Sequence, residues 1–252
     1  MTDHKGVALV TGASSGIGRA VALGLAAAGY RVAICARRQQ ALDAVAAESG
    51  ASADRILARA CDVTDEAEVA ALFAAIAEKF GRMDLVFNNA GRASPAARID
   101  ETRLEDFRAV MEVNVTGVFL VAREAFRMMR AQKPQGGRII NNGSISAHIP
   151  RPDSVAYGAS KHAVSGITRS IAIEGRPFDI ACGQIDIGNT ASDMTADMHK
   201  GMLQPDGSMR PEPTFDVKHV VDAILYMAGL PLDANVPFLT VMATKMPYLG
   251  RG

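Results

Sequence analysis

The stretch TGASSGIG at residues 11–18 decides the fold of this chain. It follows the short apolar run VALVT at 7–11 and opens a helical pattern in which Ile17, Val21 and Leu25 share one stripe. Glycine lets the backbone turn tightly and approach a ligand, and the N-terminus of a helix stabilises an anion placed there. A glycine-rich loop between a strand and a helix therefore predicts a dinucleotide-binding fold.

Beyond this loop, apolar strand patterns alternate with helical patterns. The predicted strands are residues 7–11, 31–36, 56–62, 84–89, 137–144, 179–186 and 238–243. One helical pattern opens at Asp65-x-x-Glu68, and a long one runs from about 104 to 131. This alternation predicts an α/β fold, doubly wound, in which a mostly parallel sheet has helices on both faces.

Length and composition narrow the class of protein. The 252 residues are enough for a sizeable core, and we expect residues 1–252 to form a single domain. The net charge is zero, so the composition indicates neither a nucleic-acid surface nor a polybasic membrane patch. The chain shows no signal-peptide core and no apolar stretch of bilayer length, which predicts a cytoplasmic protein. The cysteines match no zinc or disulfide spacing, and we expect no metal site.

The segment 187–215 has no clear periodicity. It follows the carboxyl end of a predicted strand and contains several methionines, among them Met194, Met198 and Met202. Long loops in compact domains are usually functional, and methionine makes adaptable apolar contacts. We therefore expect 187–215 to cover a substrate, with Met194 among its contacts, and a variable surface excursion is the alternative.

The end of the second strand, CARR at 35–38, bears on which dinucleotide is bound. Sites selective for NAD place an acidic residue near this point, whereas NADP sites place a basic residue there to meet the 2′-phosphate. Ala36 stands where the acid would lie, and Arg37 and Arg38 follow it. Arginine suits bidentate phosphate recognition. The pattern favours NADP(H) over NAD(H), and two solvated arginines at a helix start are the alternative.

Six motifs in this chain resemble those of the short-chain dehydrogenases/reductases. The motifs in chain order are TGASSGIG at 11–18, CDV at 61–63, NNAG at 88–91, Asn114 in VNVTG, Ser144 in NNGSIS and Tyr157-x-x-x-Lys161. The resemblance covers nearly the whole chain. It implies a seven-stranded sheet of the Rossmann type, and hydride transfer between a nicotinamide and a carbonyl or alcohol in a homotetramer or homodimer.

The resemblance also implies which residues bind the cofactor. The expected contacts are Gly12, Ser14, Ser15, Gly16, Ile17, Gly18, Arg37, Arg38, Asp62, Val63, Asn89, Ala90, Gly91, Tyr157, Lys161, Gly188 and Thr190. Among them, Ser14 and Arg37 would contact the 2′-phosphate, and Asp62 and Val63 would flank the adenine. The NNAG turn would stabilise the central strand and line the cofactor site.

The stretch VAYGASKHAV at 155–164 holds the candidate proton donor. Tyr157 and Lys161 are four residues apart, so a helix places them on the same side. Carbonyl reduction needs a group that protonates the substrate oxygen, and a nearby cation favours the phenolate that a tyrosine leaves behind. We therefore expect Tyr157 to act as general acid and base with the help of Lys161. Ser144 ends the fifth strand, where its hydroxyl would hold the substrate oxygen.

Four further residues are expected to have supporting or surface roles. By resemblance, Asn114 kinks its helix and holds a water that relays protons to the lysine. His148 is expected to form a polar wall of the substrate pocket rather than to assist the chemistry. Arg92 and Arg151 are interpreted as solvated arginines, with contacts to an acidic substrate group as the alternative.

Two stretches depart from the pattern of the family. In QIDIGNTASDM at 184–194, Ile187 stands where a proline is common before the glycine, and Thr190 follows at the expected carboxamide contact. Asp186 is an added acid near the site, and solvation at a strand end is the alternative. The C-terminal stretch at 240–252 lacks the usual Val-Asp-Gly-Gly-like turn, which leaves the details of the assembly open.

Three functions remain in competition. The first is an NADP(H)-dependent carbonyl reductase that also works in reverse as an alcohol dehydrogenase. The second is a 3-oxoacyl-thioester reductase, which the neutral charge supports little because a carrier arm often docks on a basic face. The third is a non-catalytic NADP(H)-sensing binding protein, although such proteins typically lose the tyrosine or the lysine and both are present here.

Overall fold

The computed structural model describes residues 5–191, 201–204 and 207–248. Its strands are β1 Val7–Thr11, β2 Arg31–Ala36, β3 Ile56–Ala60, β4 Leu85–Asn88, β5 Gly137–Asn142, β6 Ile180–Ile187, β7 Met202–Leu203, β8 Met209–Arg210 and β9 Phe238–Val241. Within these described ranges, seven strands form a parallel sheet in the order β3-β2-β1-β4-β5-β6-β9. β7 and β8 form a separate antiparallel pair.

Helices connect the parallel strands. They are α1 Gly16–Ala27, α2 Gln39–Glu48, α3 Glu66–Phe80, α4 Leu104–Met111, α5 Val118–Ala131, α6 Val155–Glu174 and α7 Lys218–Gly229. The expected doubly wound α/β sheet is confirmed. The long helix expected from about 104 to 131 is interrupted, because a π-helical turn, Glu112–Gly117, joins α4 to α5.

Apolar residues on both faces of the sheet explain this layering. Every residue of β1 and β6 is buried, as is typical of parallel strands covered on both sides. On one face α1, α2 and α7 pack through residues such as Leu25, Leu42 and Ile224. On the other face α3 and α5 pack through residues such as Leu72 and Met129. The two hydrophobic layers hold the strand ends in fixed positions.

Local signals mark the ends of α3 as the sequence predicts. The Asp65 carboxylate accepts hydrogen bonds from the backbone N–H groups of Ala67 at 2.8 Å and Glu68 at 3.0 Å. These bonds satisfy helix donors that have no partner within the helix. Gly81 ends the helix in the left-handed conformation, with φ at 75°, which glycine adopts without steric cost.

The strand order reverses beside β1. β2 and β3 lie on one side of β1, and β4, β5, β6 and β9 lie on the other. The carboxyl ends of β1 and β4 therefore flank a crevice, which is where open α/β sheets bind ligands. The glycine loop at 11–18 leaves β1 at this edge, and the segments that follow β5 and β6 start from the same edge.

Part of the segment 187–215 lies outside the described residues. Positions 192–200 and 205–206 belong to that part, and with them the expected substrate contact Met194 and the nearby Met198. The described part contains the β7–β8 pair, in which Met202 lies opposite Arg210. In the portion of the chain that the structure describes, no helix combines the length and the apolar character needed to cross a membrane.

Candidate active site

The glycine loop turns sharply between β1 and α1. Gly12 and Gly16 adopt left-handed conformations, with φ at 64° and 53°, a region that favours glycine. A Cβ on Gly12 would lie 2.9 Å from the Cα of Ala90, so this glycine lets two loops approach closely. The side chain of the N-cap residue Ser15 makes no capping hydrogen bond. The first N–H groups of α1 are thus not capped by Ser15, and such groups bind anions.

Thr11 and Asn89 join the loops that follow β1 and β4. Thr11 Oγ1 accepts hydrogen bonds from the N–H groups of Asn89 and Ala90, both at 2.9 Å. Asn89 Nδ2 donates to the backbone oxygen of Thr11 at 2.9 Å. Asn142 Nδ2, at the end of β5, donates to Asn89 Oδ1 at 2.9 Å. The NNAG turn therefore ties three neighbouring strand ends together.

Tyr157 and Lys161 lie one turn apart on α6 and share one side of it. Lys161 Nζ is 5.6 Å from the centroid of the Tyr157 ring. It donates a hydrogen bond to the backbone oxygen of Asn142 at 2.7 Å. Lys161 is buried, and Tyr157 is half-buried. Because an ammonium group has three N–H donors, the bond to Asn142 leaves capacity for a ligand.

Ser144 follows β5 and rests on a buried carboxylate. Its Oγ accepts a hydrogen bond from the N–H of Ser146 at 3.1 Å, which leaves the hydroxyl proton available for donation. Its N–H donates to Asp186 Oδ1 at 3.0 Å, and Gln184 Nε2 donates to the same oxygen at 2.7 Å. His148 Nε2 lies 2.8 Å from Asp186 Oδ2. Asp186 lies beside Ser144 as an added acid, and the alternative of a solvated strand-end acid is wrong, because Asp186 is fully buried among these partners.

The chain near its C-terminal end packs against the same turn. Gly143 makes room for the carboxylate, since a Cβ there would overlap Asp186 Oδ1. Ile145 packs with Ala243 and Met246 in a small buried cluster. Burial raises the pKa of the Tyr248 hydroxyl, and the negative charge of Asp186 adds to this effect.

Asn114 lies in the π-helical turn and joins two parts of the site. Its Oδ1 accepts from the N–H of Arg92 at 2.8 Å, and its Nδ2 donates to the backbone oxygen of Arg92 at 3.0 Å. Nδ2 also donates to Ser160 Oγ at 3.1 Å. Ser160 stands next to Lys161 on α6 and donates to the backbone oxygen of Tyr157 at 2.8 Å. Asn114 therefore fixes the loop after β4 against the turn of α6 that holds the tyrosine and the lysine.

Arg151 forms a buried ion pair, so its interpretation as a solvated arginine is wrong. Its guanidinium donates to both carboxylate oxygens of Glu212, at 2.8 and 2.5 Å, and to Asn189 Oδ1 at 2.9 Å. Asn189 Nδ2 and Gln204 Nε2 also donate to Glu212, at 2.7 and 3.0 Å. Burial acts to raise the pKa of Glu212, but the hydrogen bonds outweigh it and lower the pKa to about 2. No sequence signal pointed to Glu212, since Arg151 lies 61 residues away.

These groups surround a cavity of about 380 Å³ at the carboxyl edge of the sheet. The expected site residues that line it are Gly12, Ser15, Gly16, Ile17, Gly18, Asn89, Ala90, Gly91, Ser144, Tyr157, Lys161, Gly188 and Thr190. Arg92, Arg151, Asn189 and Met202 line it as well. The glycine loop and the tyrosine helix thus face one continuous space.

Other expected residues lie away from this cavity. They are Ser14, Arg37, Arg38, Asp62, Val63, Asn114 and His148. Arg37 and Arg38 are exposed after β2. The N–H of Thr64 lowers the pKa of Asp62 through a hydrogen bond, and the positive charge of Arg37 contributes to the same shift. The His148 side chain is 41% exposed and contacts Asp186.

The described residues hold no group of three or more His, Cys, Asp or Glu side chains that could bind a metal ion. Cys35, Cys61 and Cys182 are free and buried. Burial raises the pKa of the Cys182 thiol to about 12, so the neutral thiol is its stable form.

Comparisons with known proteins cover most of the chain. Residues 6–202 match the family model described as short chain dehydrogenase. A 3beta-hydroxysteroid dehydrogenase from Mediterraneibacter gnavus is 37% identical over 193 residues, which are 77% of this chain and 68% of that protein. Carbonyl reductase family member 4 from Xenopus tropicalis is 35% identical over 226 residues, covering 89% and 92%. The crystal structure of a 3-ketoacyl-(acyl-carrier-protein) reductase from Brucella melitensis, complexed with NADH, has a TM-score of 0.84 at 28% identity and covers 95% and 97%.

Proposed function

Because the chain belongs to the short-chain dehydrogenase/reductase family, we propose that it transfers a hydride between NADP(H) and a carbonyl or secondary alcohol. The observation that carries this proposal is the shared cavity, which the glycine loop lines on one side and Ser144, Tyr157 and Lys161 line on the other. A cofactor on the loop and a substrate beside the tyrosine would meet in this space.

The residues around the cavity fit a nicotinamide dinucleotide. The glycine loop and the start of α1 offer N–H groups to the pyrophosphate. Lys161 would bind the nicotinamide ribose, and Gly188 and Thr190 would meet the carboxamide. When bound, the nicotinamide supplies the hydride in reduction and accepts it in oxidation. The NADH in the similar Brucella melitensis structure supports a nicotinamide cofactor.

We propose NADP(H) rather than NAD(H) on the residues that end β2. Ala36 leaves no carboxylate there for a ribose 2′-OH, and the exposed Arg37 and Arg38 would meet a 2′-phosphate together with Ser14. Arg37 is near Asp62, which would place it at the adenine end of the cofactor. NAD(H) is the alternative, and the NADH of the Brucella melitensis structure favours it.

Tyr157 is proposed to hold and move the proton. Its hydroxyl donates a proton to the substrate carbonyl oxygen in reduction, and its phenolate takes the proton of the alcohol in oxidation. The buried ammonium of Lys161, 5.6 Å from the ring centroid, stabilises that phenolate. Ser144 donates a hydrogen bond to the same substrate oxygen, on which negative charge develops.

Asn114 is proposed as a positioning residue. Through Ser160 it holds the turn of α6 between Tyr157 and Lys161, and through Arg92 it holds the loop after β4. The water relay that the family resemblance implies would also start from this asparagine.

A second candidate function is reduction of a 3-oxoacyl thioester. The similarity to the 3-ketoacyl-(acyl-carrier-protein) reductase of Brucella melitensis favours it. A non-catalytic NADP(H)-sensing protein is the third candidate. The cavity disfavours the third, because Ser144, Tyr157 and Lys161 all line it.

Turnover and cofactor binding together test these proposals. NADPH and NADH consumption are measured with a panel of ketones, aldehydes and 3-oxoacyl thioesters, and dissociation constants of both cofactors are measured without substrate. We expect consumption with at least one simple carbonyl and a higher kcat/KM with NADPH. Activity confined to thioesters would favour the second candidate. Tight NADPH binding without consumption on any substrate would contradict the enzymatic proposal and favour the sensor.

A further inference from the structure

One wall of the cavity contains a cation whose counter-ion lies behind it. Arg151 lines the cavity together with Asn189 and Met202. Its side chain is 13% exposed, whereas that of Glu212 is 0% exposed and does not line the cavity. A ligand in the cavity would therefore meet Arg151 with the carboxylate of Glu212 already bound to its guanidinium.

The carboxylate of Glu212 is held from several directions. Arg151 binds both of its oxygens, at 2.8 and 2.5 Å, and Asn189 and Gln204 donate one further hydrogen bond each. A buried charge is stable when it is paired and hydrogen-bonded. The carboxylate therefore stays ionised, consistent with its pKa of about 2, and its negative charge opposes the positive charge of Arg151.

A second anion at Arg151 would experience both charges of this ion pair. The attraction to the guanidinium would be offset by repulsion from the carboxylate directly behind it. The guanidinium would also have to share hydrogen bonds that its bidentate geometry already commits to Glu212. In contrast, a neutral carbonyl compound meets no charge penalty at this wall.

Neighbouring charges do not reverse this argument. Within the described ranges, the residues that line the cavity include no Asp or Glu, and its other cations are Arg92 and Lys161. Arg92 is exposed, where solvent and salt screen its charge. Lys161 lies on α6 beneath the tyrosine ring. The charge that a ligand meets at the wall formed by Arg151 and Asn189 thus depends mainly on Glu212.

We propose that Glu212 is a specificity-determining residue that makes this wall electrically neutral, so that the cavity takes neutral carbonyl compounds and discriminates against an anionic group at Arg151. That the cavity takes carbonyl compounds rests on the proposed function. The effect of Glu212 on the charge of a ligand does not require turnover, and its test is a binding measurement.

The test compares hexanoate with hexanamide, two ligands that differ in charge and little in shape. Their effect on the Tm of the full chain is measured in the presence of NADPH, because a ligand that binds the folded state raises Tm. Glu212→Gln keeps the size of the side chain and removes its charge. We expect hexanoate to bind this variant more tightly than the wild type by roughly tenfold or more, since a charge-assisted hydrogen bond becomes available. Hexanamide should affect both proteins equally.

Two matched variants separate charge from loosening of the wall. Glu212→Asp keeps the charge on a shorter side chain, and Gln204→Ala removes one hydrogen bond to the same carboxylate without changing any charge. Neither should gain affinity for hexanoate. A gain in either variant equal to that of Glu212→Gln would overturn the proposal, as would a folded Glu212→Gln variant that responds to hexanoate like the wild type.

The double variant Arg151→Gln/Glu212→Gln decides the question if Glu212→Gln does not fold. It removes both charges, and we expect it to keep the wild-type responses to the two ligands. Tighter binding of hexanoate than of hexanamide by the wild type, lost in the double variant, would show that Arg151 binds anions and would overturn the proposal.

The two proposals fail separately. A protein that reduces no carbonyl compound but gains hexanoate binding in Glu212→Gln would lose the proposed function and keep the role of Glu212. A protein that reduces carbonyl compounds, and whose Glu212→Gln variant ignores hexanoate, would keep the proposed function and lose the role of Glu212.

Discussion

Neutral groups hold one side of the cavity in place, whereas buried carboxylates behind the lining support the other. On the side of the glycine loop, the hydroxyl of Thr11 and the amide of Asn89 join β1 to β4. On the side of the tyrosine helix, Asp186 holds the N–H of Ser144, and Glu212 holds Arg151. The first side uses local turns and glycine, and the second uses charges on residues far apart in the chain.

Because of this difference, the loop side determines the shape of the cavity, whereas the carboxylate side determines the charge that a ligand meets. Neutral hydrogen bonds contribute about 1 kcal/mol each and define shape, so the loop side suits a ligand of constant shape such as a dinucleotide. A buried charge must be compensated, and removing its partner is costly. A single substitution on the carboxylate side therefore changes both stability and the charge that a substrate meets. The predictions below test this contrast, beginning with the largest expected effect on stability.

Removing the cation from the carboxylate side should destabilise the fold strongly. Arg151→Gln removes the guanidinium that binds both oxygens of the buried Glu212 carboxylate, and we expect a loss of about 3–5 kcal/mol in the free energy of unfolding. The double variant Arg151→Gln/Glu212→Gln should recover most of this loss. Urea denaturation of the two single variants, the double variant and the wild type measures the coupling. Additive losses would contradict the account of the ion pair.

The same ion pair predicts a dependence on pH. The pKa of Glu212 is lowered from 4.5 to about 2 in the folded state, so its stabilising contribution is fully present above pH 4.5 and is lost as pH falls towards 2. The difference in unfolding free energy between wild type and Glu212→Gln should shrink over this range. A difference that stays constant from pH 6 to pH 3 would contradict the assignment.

On the neutral side, the expected effect is smaller. Thr11→Val removes the oxygen that accepts two backbone N–H groups, and we expect a loss of about 2 kcal/mol in the free energy of unfolding. NADPH binding should weaken as well, because the two loops lose their connection. Thr11→Ser keeps the hydroxyl and is the control, measured by denaturation and by NADPH titration. A loss in Thr11→Ser as large as that in Thr11→Val would contradict the role of the hydroxyl.

The smallest effect concerns the exposed end of the cofactor. Arg37→Ala should raise the dissociation constant of NADPH by roughly tenfold and leave that of NADH nearly unchanged, because only NADPH carries the 2′-phosphate. Arg59→Ala removes an exposed arginine of β3 and is a matched control. Fluorescence titration of the wild type and both variants with NADPH and NADH measures the dissociation constants. An equal weakening of NADH would exclude a specific phosphate contact at Arg37.

The same contrast explains which features the sequence could predict. The seven strands were predicted to within about two residues, since buried parallel strands appear as continuous apolar runs. The residues of the glycine loop followed from a local motif. The π-helical turn around Asn114 was not predicted from the residue pattern, because its sequence continues the helical pattern of 104–131. Only the family resemblance indicated a kink.

The carboxylate side was predicted less well because its contacts are not local. Arg151 was interpreted as solvated, and the burial of Asp186 was not predicted. Their partners Glu212 and His148 lie 61 and 38 residues away. A pattern read along the chain contains no distance between such residues. The roles of the site residues, the choice of NADP(H), the cytoplasmic location, the single domain and the homotetramer or homodimer stay predictions.

Tyr157 lines the cavity that the two sides share, and its hydroxyl tests the central proposal most directly. Tyr157→Phe removes one oxygen atom from a half-buried ring and keeps the packing of α6. With a substrate identified for the wild type, we predict that kcat falls by about 10²–10⁴-fold, as expected for the loss of a general acid, while the dissociation constant of NADPH changes little. A variant that retains wild-type kcat would contradict the account.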